Sequence, residues 1–379
     1  MPSYHQMGHD SWNLVAEGAL ATFRGLVLSP VNDTPGEMVH KLKALGSRRN
    51  QLDIILDPQF YKPKSERGSL PEWAHIDSDF NTADLADMTW WTERCRRLVD
   101  EGERIGVSAI ASPAVIPRAF DVAYYAWVVE CAETLARMLK GRSSSALLSA
   151  LVHLPELAIG GAAERIASVL TRSSISRVYL VFVDDVAPRA QRVDAEALAG
   201  AMSLIRILQG AGSPVLVAFS GLDMLLWKFA GATDVATGKF FNLRRFVPGR
   251  WEDPAEGGRV LPYWTDHEFI TWFREEDVRL LLRLGLIDRD RANSHPYSAE
   301  ILRTLDNRTG EAWVRLGWRQ YMYWFAQHEA AINSSQLNVK DMLEHADQRW
   351  SAIETRHVRL FERPNNGEWI RSWLNAMLL

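Results

Sequence analysis

The fold class is decided by residues 213–246, SPVLVAFSGLDMLLWKFAGATDVATGKFFNLRRF. The apolar run from Val215 to Phe219 predicts a buried strand, and an amphipathic helix and a short strand at 233–237 follow it. Two strands joined by a helix are typical of a parallel sheet. Small residues and cations gather where both strands end. Loops after parallel strands form the ligand site in such proteins, so we expect the site here.

The same alternation of strand and helix runs through most of the chain. Strands are predicted at 23–30, 51–58, 107–117, 145–155, 176–185, 214–219 and 233–237. The strand at 176–185, SRVYLVFVDD, is nearly all apolar, as expected for a strand covered on both faces. The stretch from residue 20 to about 270 suits a (β/α)8 TIM-type barrel, which takes roughly 250 residues. The candidate eighth strand is RVLPYWTD, 259–266, although it carries Pro262.

An open doubly wound sheet is the alternative architecture. It normally carries a Gly-rich first turn, and the turn SPVNDTPG at 29–36 contains no GxGxxG. From about residue 268 the pattern is helical without strands. We therefore predict an α/β fold: a (β/α)8 TIM-type barrel over residues 1–266 and a helical C-terminal subdomain over 267–379. The loop 248–259 is a candidate linker between them.

Composition excludes several classes of protein. A hydrophobic content of 47% and a charged content of 24% are ordinary for a soluble globular protein, and a net charge of −4 gives no overall attraction to nucleic acid. The chain has no apolar run long enough for a membrane span and no signal-peptide segment, so a cytoplasmic location is expected. The two cysteines and ten histidines lack metal-ligand spacing. We predict no metal and no cofactor.

Asp57 and Asp184 are candidate catalytic groups because they end predicted strands, and Asp234 is a third candidate on the family resemblance described below. Asp57 closes the strand at 51–58, Asp184 ends the strand at 176–185, and Asp234 lies in the strand at 233–237. A carboxylate in such a position acts as a general base or binds amino groups of a heterocycle. The alternative for Asp57 is a helix cap or an arginine partner, and the alternative for Asp184 is a cap of the next helix. The segment FSGLD, 219–223, is not a GxSxG nucleophile motif.

Cations and small residues after the same strands predict an anion site. Glycine permits close backbone approach, and Lys and Arg supply charge and hydrogen-bond donors. The alternative is that the arginines pair with acids of the C-terminal helices. No Walker A motif is present, since Phe240 follows Lys239. The predicted substrate- or phosphate-binding residues are Gln59, Lys62, Ser220, Thr237, Gly238, Lys239, Arg244 and Arg245.

Two stretches resemble the tRNA-guanine transglycosylase family of barrels. Residues 44–59, ALGSRRNQLDIILDPQ, resemble its helix–Gly–strand passage that ends in an acid, and residues 212–245 resemble its late strand–loop–helix–strand passage. Asp234 matches the first acid of that passage. Thr237 stands where the nucleophilic aspartate is expected, and the family's Cys-x-Cys-x-x-Cys…His zinc site is missing. The resemblance implies a barrel with a pocket for a nucleobase or a nucleic acid.

Three functions follow as hypotheses. The first is a transglycosylase-like transferase acting on a nucleobase, nucleotide or nucleic acid at the carboxyl-terminal face of the barrel. The second is a non-catalytic barrel subunit of a multiprotein assembly, in bacterial defence or DNA processing, which docks a protein partner through the Trp-rich C-terminal helices. The third is a hydrolase or lyase for a phosphorylated small molecule.

Overall fold

In the computed structural model, which describes residues 3–77, 79–252, 260–293, 295–307 and 313–379, eight parallel strands close into a barrel. Each strand pairs with the next, and β8 pairs with β1. The barrel strands are β1 Tyr4–Gln6, β2 Gly25–Leu28, β3 Asp53–Leu56, β4 Ala109–Ala111, β5 Ser145–His153, β6 Val178–Val183, β7 Val215–Val217 and β8 Asp234–Thr237. The predicted (β/α)8 architecture is confirmed.

The order of the strands differs from the predicted order at both ends. The first strand, Tyr4–Gln6, has three residues and no apolar pattern, so the sequence did not reveal it. The strand at 233–237 is therefore the eighth and not the seventh. The predicted eighth strand is wrong: Trp264–Asp266, β9, pairs antiparallel with Thr271–Phe273, β10, outside the barrel. Residues 253–259 lie outside the described residues. They include part of the predicted linker and the first residue of the predicted eighth strand.

Helices follow the strands as the sequence pattern predicts, and more helices follow the barrel. Seven of them connect successive strands: α1 Ser11–Ala16, α2 Pro35–Ala44, α3 Met88–Ile105, α4 Val122–Leu139, α5 Ala162–Leu170, α6 Ala195–Gly210 and α7 Met224–Phe229. After β10 come α8 Glu275–Arg283, α9 Arg289–Asn293, α10 Pro296–Asn307, α11 Val314–Asn333, α12 Val339–Thr355 and α13 Glu368–Leu378. Capping residues set their ends, as where Thr34 and Glu37 form a capping box at α2.

Helix α11 occupies the place of the eighth outer helix of the barrel. Its Glu329 is buried, accepts a hydrogen bond from Ser3 Oγ at 2.5 Å and lies 3.5 Å from Lys228 Nζ of α7. Its Tyr321 hydroxyl lies 2.7 Å from Thr237 Oγ1 at the end of β8. A single apolar core runs from the barrel into the C-terminal helices. The division at residue 266 stays a prediction, but the barrel seam is covered by residues beyond it.

The tryptophans of the C-terminal part mostly point into the fold. Trp318 of α11 is half-buried, and the Trp373 indole donates to the Arg192 carbonyl at 2.9 Å. The fully buried set is Trp264, Trp272, Trp313, Trp324, Trp350, Trp369 and Trp373. Docking of a protein partner on these helices stays a prediction. Within the described ranges, no helix is both long and apolar enough to cross a bilayer.

A chain that ends at residue 266 is expected to lose cooperative unfolding, because it lacks the helix that covers the seam between β8 and β1 and leaves Ser3 and Lys228 without Glu329. Thermal unfolding followed by circular dichroism measures this. A chain that ends at residue 377, which removes only the exposed Leu378 and Leu379, should melt like the full chain. A sharp transition in the chain of 266 residues would instead establish an independent barrel domain.

Candidate functional site

Asp57 lies directly after β3 and is sealed in the mouth of the barrel. It is 1% exposed and accepts hydrogen bonds from the Tyr61 hydroxyl at 3.0 Å, the Tyr179 hydroxyl at 3.3 Å and the Gln59 backbone N–H at 3.1 Å. Burial raises its pKa to about 6, although these hydrogen bonds favour the charged form. The group has the pKa of a general base, but its contacts are with the protein itself.

Four aromatic residues cover this carboxylate, and we call them the mouth cluster: Tyr61, Phe219, Phe246 and Trp251. They come from the loops after β3, β7 and β8, and all are buried. The Tyr61 ring centroid lies 4.9 Å from that of Phe246 and 4.7 Å from that of Trp251. Phe219 has a φ of 52°, a left-handed conformation that is strained for a bulky residue. The barrel mouth is therefore filled by side chains.

The other predicted residues at the mouth have structural partners. Gln59 Oε1 accepts from Ser29 Oγ and from the Val31 N–H, each at 3.1 Å, and Ser220 Oγ donates to the Val217 carbonyl at 3.0 Å. Lys62 is one-third exposed and forms an ion pair with Glu252. None of Gln59, Ser220 and Lys62 lines the large cavity described below.

Asp184 is the partner of a buried arginine. Arg192 Nε donates to Asp184 Oδ2 at 2.5 Å, and the Arg192 guanidinium also binds Asp223. Arg245 lies beside this group and donates to the Ala187 carbonyl at 3.3 Å, and burial lowers its pKa to about 10. All four side chains are buried. They fix the loops after β6, β7 and β8 to one another, and Asp184 therefore has a structural partner that the sequence did not indicate.

Asp234 lies at the opposite end of the barrel from Asp57 and Asp184. The structure thus corrects the prediction that all three belong to one site. It begins β8, so it points to the amino-terminal end of the sheet. Arg177 Nη2 donates to Asp234 Oδ2 at 2.8 Å, and Arg24 Nη1 lies 3.4 Å from Asp234 Oδ1. Arg177 also bonds the Tyr4 hydroxyl at 2.8 Å and Asp53 at 3.3 Å. This network closes the floor of the barrel.

Thr237 and Gly238 turn the chain out of β8. Thr237 is buried against Tyr321, as described above, which leaves its hydroxyl in the seam. A Cβ on Gly238 would lie 2.4 Å from Leu243 Cβ and 2.9 Å from the Gln6 carbonyl oxygen, so only glycine fits without movement. The tight turn delivers Lys239 and Arg244 to the surface between the barrel and α11.

A cavity of about 820 Å³ opens at that surface. It lies between the loops after β6 and β8, the β9–β10 hairpin, α11 and the segment that leads into α13. Its aromatic lining residues are Phe240, Phe241, Tyr263, Trp272, Trp318 and Trp369. Its polar lining residues include Arg189, Gln191, Lys239, Arg244, Glu362 and Asn365. The size and the mixture of aromatic walls with a few polar groups are typical of a small-molecule site.

Lys239 is a buried cation held only by aromatic faces. Its side chain is 2% exposed, and Nζ lies 4.3 Å from the Trp318 ring centroid and 4.9 Å from that of Phe240. Among the described residues, no acceptor lies within hydrogen-bond distance and no carboxylate lies within 4 Å of Nζ. Burial lowers the pKa of the amine to about 8.

Arg244 is a second buried cation of the same cavity. Its guanidinium stacks on Tyr321, with Cζ 3.5 Å from the ring centroid, while Nε and Nη2 donate to the carbonyls of Gly238 and Lys239 at 3.1 and 2.8 Å. Burial lowers its pKa to about 10. Nη1 has no partner among the described residues. The expected pairing of Arg244 with acids of the C-terminal helices does not occur in the part of the chain that the structure describes.

Other N–H donors line the cavity without a partner. The indole Nε1 of Trp272 and of Trp369 and the amide Nε2 of Gln191 are buried atoms that find no acceptor within the described ranges. The cavity wall therefore carries Lys239, Arg244 and three neutral donors, beside the ion pair of Arg189 with Glu362. Buried donors cost free energy unless they meet acceptors, so this wall is suited to an acceptor-rich ligand.

The sequence identified Lys239 and Arg244 but missed the other side of the cavity. Arg189 and Gln191 follow β6, where the carboxyl-end rule would have found them. Trp272 and Trp369 come from the C-terminal part, whose contact with the β8 loop no local pattern reveals. The described residues contain no group of three or more His, Cys, Asp or Glu side chains placed to hold a metal ion.

Replacing Asp57 by Asn is expected to change how stability depends on pH. The folded pKa of about 6 lies above the ordinary 3.8, so Asp57 contributes stability that is present below pH 3.8 and is lost as pH rises through 6. The variant lacks this loss and should gain about 3 kcal/mol relative to wild type between pH about 4 and pH about 7. Urea unfolding measures it, with Asp185→Asn, at an exposed aspartate, as control. A constant difference in the free energy of unfolding between wild type and Asp57→Asn across this pH range would contradict the raised pKa of Asp57.

No family model and no curated protein matches this chain. Among solved structures it is similar to citrate synthase SbnG, with 9% identity over 62% of this chain and 85% of that one and a TM-score of 0.37. It is also similar to a putative sugar phosphate isomerase/epimerase from Anabaena variabilis (11%, 68% and 92%, TM-score 0.36) and to L-talarate/galactarate dehydratase from Salmonella typhimurium LT2 (12%, 64% and 49%, TM-score 0.35). Likeness at these levels carries no functional argument.

Proposed function

We propose that this barrel protein binds a phosphorylated small molecule with a flat ring, with mononucleotides as the first class, in the cavity between the β8 loop and α11. One observation carries the proposal: Lys239 and Arg244 are both buried in one cavity wall, and within the described ranges neither has a carboxylate within 4 Å. Buried charge without a counterion is costly, and an anionic ligand would offset that cost.

The remaining lining supports a ring beside the anion. Trp318 and Phe240 are only half-buried and face the cavity, and aromatic faces of this kind stack on heterocycles. The neutral donors of Gln191 and Trp272 suit the oxygen and nitrogen acceptors of a phosphate or a base. The ligand class agrees with the nucleobase pocket that the transglycosylase resemblance implies and equally with the phosphorylated small molecule of the third hypothesis.

The chemistry of base exchange receives less support than the ligand class. Asp57 lies under the mouth cluster, Asp234 lies at the floor of the barrel, and Thr237 cannot supply an aspartate nucleophile. We therefore propose ligand binding at the lateral cavity and propose no transglycosylation at the mouth. The filled mouth also favours the second hypothesis, a barrel without catalysis at its mouth, and a ligand-bound subunit of an assembly would satisfy both.

Wild-type protein is expected to bind AMP, GMP or ATP in isothermal titration calorimetry, with affinity that falls as salt rises. Lys239→Met and Arg244→Met should each weaken binding about tenfold or more, because each removes a charge-assisted contact. Lys140→Met, at an exposed lysine outside the cavity, is the matched control and should bind as wild type does. Inorganic phosphate tests whether the ring is needed. No binding by wild type, or equal binding by all variants, would refute the proposed site.

A further inference from the structure

The Lys239 amine differs from the other buried lysine of the chain. Lys228 Nζ donates to the carbonyls of Ala232 and Thr233 at 2.6 and 2.9 Å and faces Glu329. Lys239 Nζ has none of these acceptors, as described above, and it lies in the wall of the large cavity. Its lone pair, once the amine is neutral, is therefore free to react with a ligand and is not committed to the fold.

The surroundings of Lys239 make its ammonium lose a proton at a lower pH than an ordinary lysine does. Burial is the main cause of its lowered pKa, Arg315 of α11 lowers it further, and Asp10 and Glu17 oppose the shift. His5 of β1 lies near enough to feel the lysine charge, and burial together with that charge lowers its own pKa to about 3, so the imidazole stays neutral. A lysine desolvated in an apolar pocket beside other cations is a typical nucleophilic amine.

We propose that Lys239 forms an iminium with an aldehyde or ketone group of a phosphorylated compound bound in this cavity. The inference rests on the proposed function, because Arg244 is needed to hold the anionic part of the ligand. The substrate class is accordingly a carbonyl compound that carries a phosphate and a ring.

The step balances without a further reactant. The nitrogen lone pair attacks the carbonyl carbon, the C–N bond forms, and the C=O π pair moves to the oxygen, which takes up a proton as the nitrogen releases one. The hydroxyl then takes up a second proton from the solvent, equal to the one that the ammonium released on becoming the neutral amine, and leaves as water, which gives the C=N⁺ bond. Trp318 and Phe240, whose faces hold the ammonium at 4.3 and 4.9 Å, would stabilise the iminium cation by the same attraction.

The test uses pyridoxal 5′-phosphate as the carbonyl probe and pyridoxine 5′-phosphate, which has no carbonyl, as the binding probe. The full chain is incubated with pyridoxal 5′-phosphate and reduced with borohydride, and peptide mass spectrometry locates the adducts. Lys239 is expected to be labelled about tenfold or more faster than the exposed Lys43 at pH about 7, because more of it is neutral. The difference should shrink at pH about 10, where exposed amines in general lose their protons.

Two variants distinguish the residue that reacts with the carbonyl from the residue that binds the anionic group. Lys239→Met should lose the adduct, while Lys140→Met, at an exposed lysine outside the cavity, should keep it. Arg244→Met should raise the probe concentration that gives half-maximal labelling and leave the labelling rate at saturation within a few fold, because Arg244 positions the ligand and does not react. The rate of Lys43 labelling in each variant shows that the reagent is unchanged.

The outcomes distinguish this inference from the proposed function. Binding of pyridoxine 5′-phosphate that Arg244→Met weakens, with no preferential adduct on Lys239, would overturn the iminium and leave the anion site standing. Labelling of Lys239 at the rate of Lys43 would overturn it as well. Absence of binding by either probe would overturn both proposals. Rapid adduct formation on Lys239 that pyridoxine 5′-phosphate competes away would support both.

Discussion

Closure of the barrel between β8 and β1 is the constraint on which the rest of the structure depends. β1 is only three residues long, and it pairs with β2 on one side and with β8 on the other. So short a strand gains little from its own packing, and α11 covers it through Glu329 and Tyr321. The chain thus completes its barrel with a helix that follows β8 by more than seventy residues, and the connecting segments become the outer wall of a cavity.

At both ends of the barrel interior, the buried polar side chains bond to other residues of the protein. At the floor, Arg177 binds Asp53 and Asp234 and satisfies the charges that a closed barrel would otherwise bury alone. At the mouth, Asp57 satisfies the hydroxyls of Tyr61 and Tyr179 beneath an aromatic cluster. Hydrogen-bonded buried groups of this kind stabilise one arrangement of the core. Among the described residues, the cavity of about 820 Å³ lies beside the barrel.

The lateral cavity differs from both ends in what its polar groups lack. Arg192 has two carboxylates and Lys228 has one, whereas Lys239 has aromatic faces and Arg244 has aromatic faces and backbone carbonyls. A cation–π contact returns about 0.5–2 kcal/mol, which is less than the cost of desolvating a charge. The imbalance at these two residues is what an anion would relieve, and the same desolvation lowers the pKa of the Lys239 amine.

The sequence by itself determined the barrel, because apolar runs such as 176–185 alternate with helices. It also located Lys239 and Arg244, because loops after the last strands of a barrel commonly carry the cations that bind anions. It did not determine β1, whose residues Tyr4–Gln6 carry no apolar pattern, or the end of the barrel that Asp234 occupies, since a four-residue strand gives little sign of where it begins. Tertiary structure alone decided that Asp57 and Asp184 have protein partners, and that Trp272 and Trp318 face the β8 loop. Those outcomes depend on contacts between residues far apart in the chain, which local patterns do not encode.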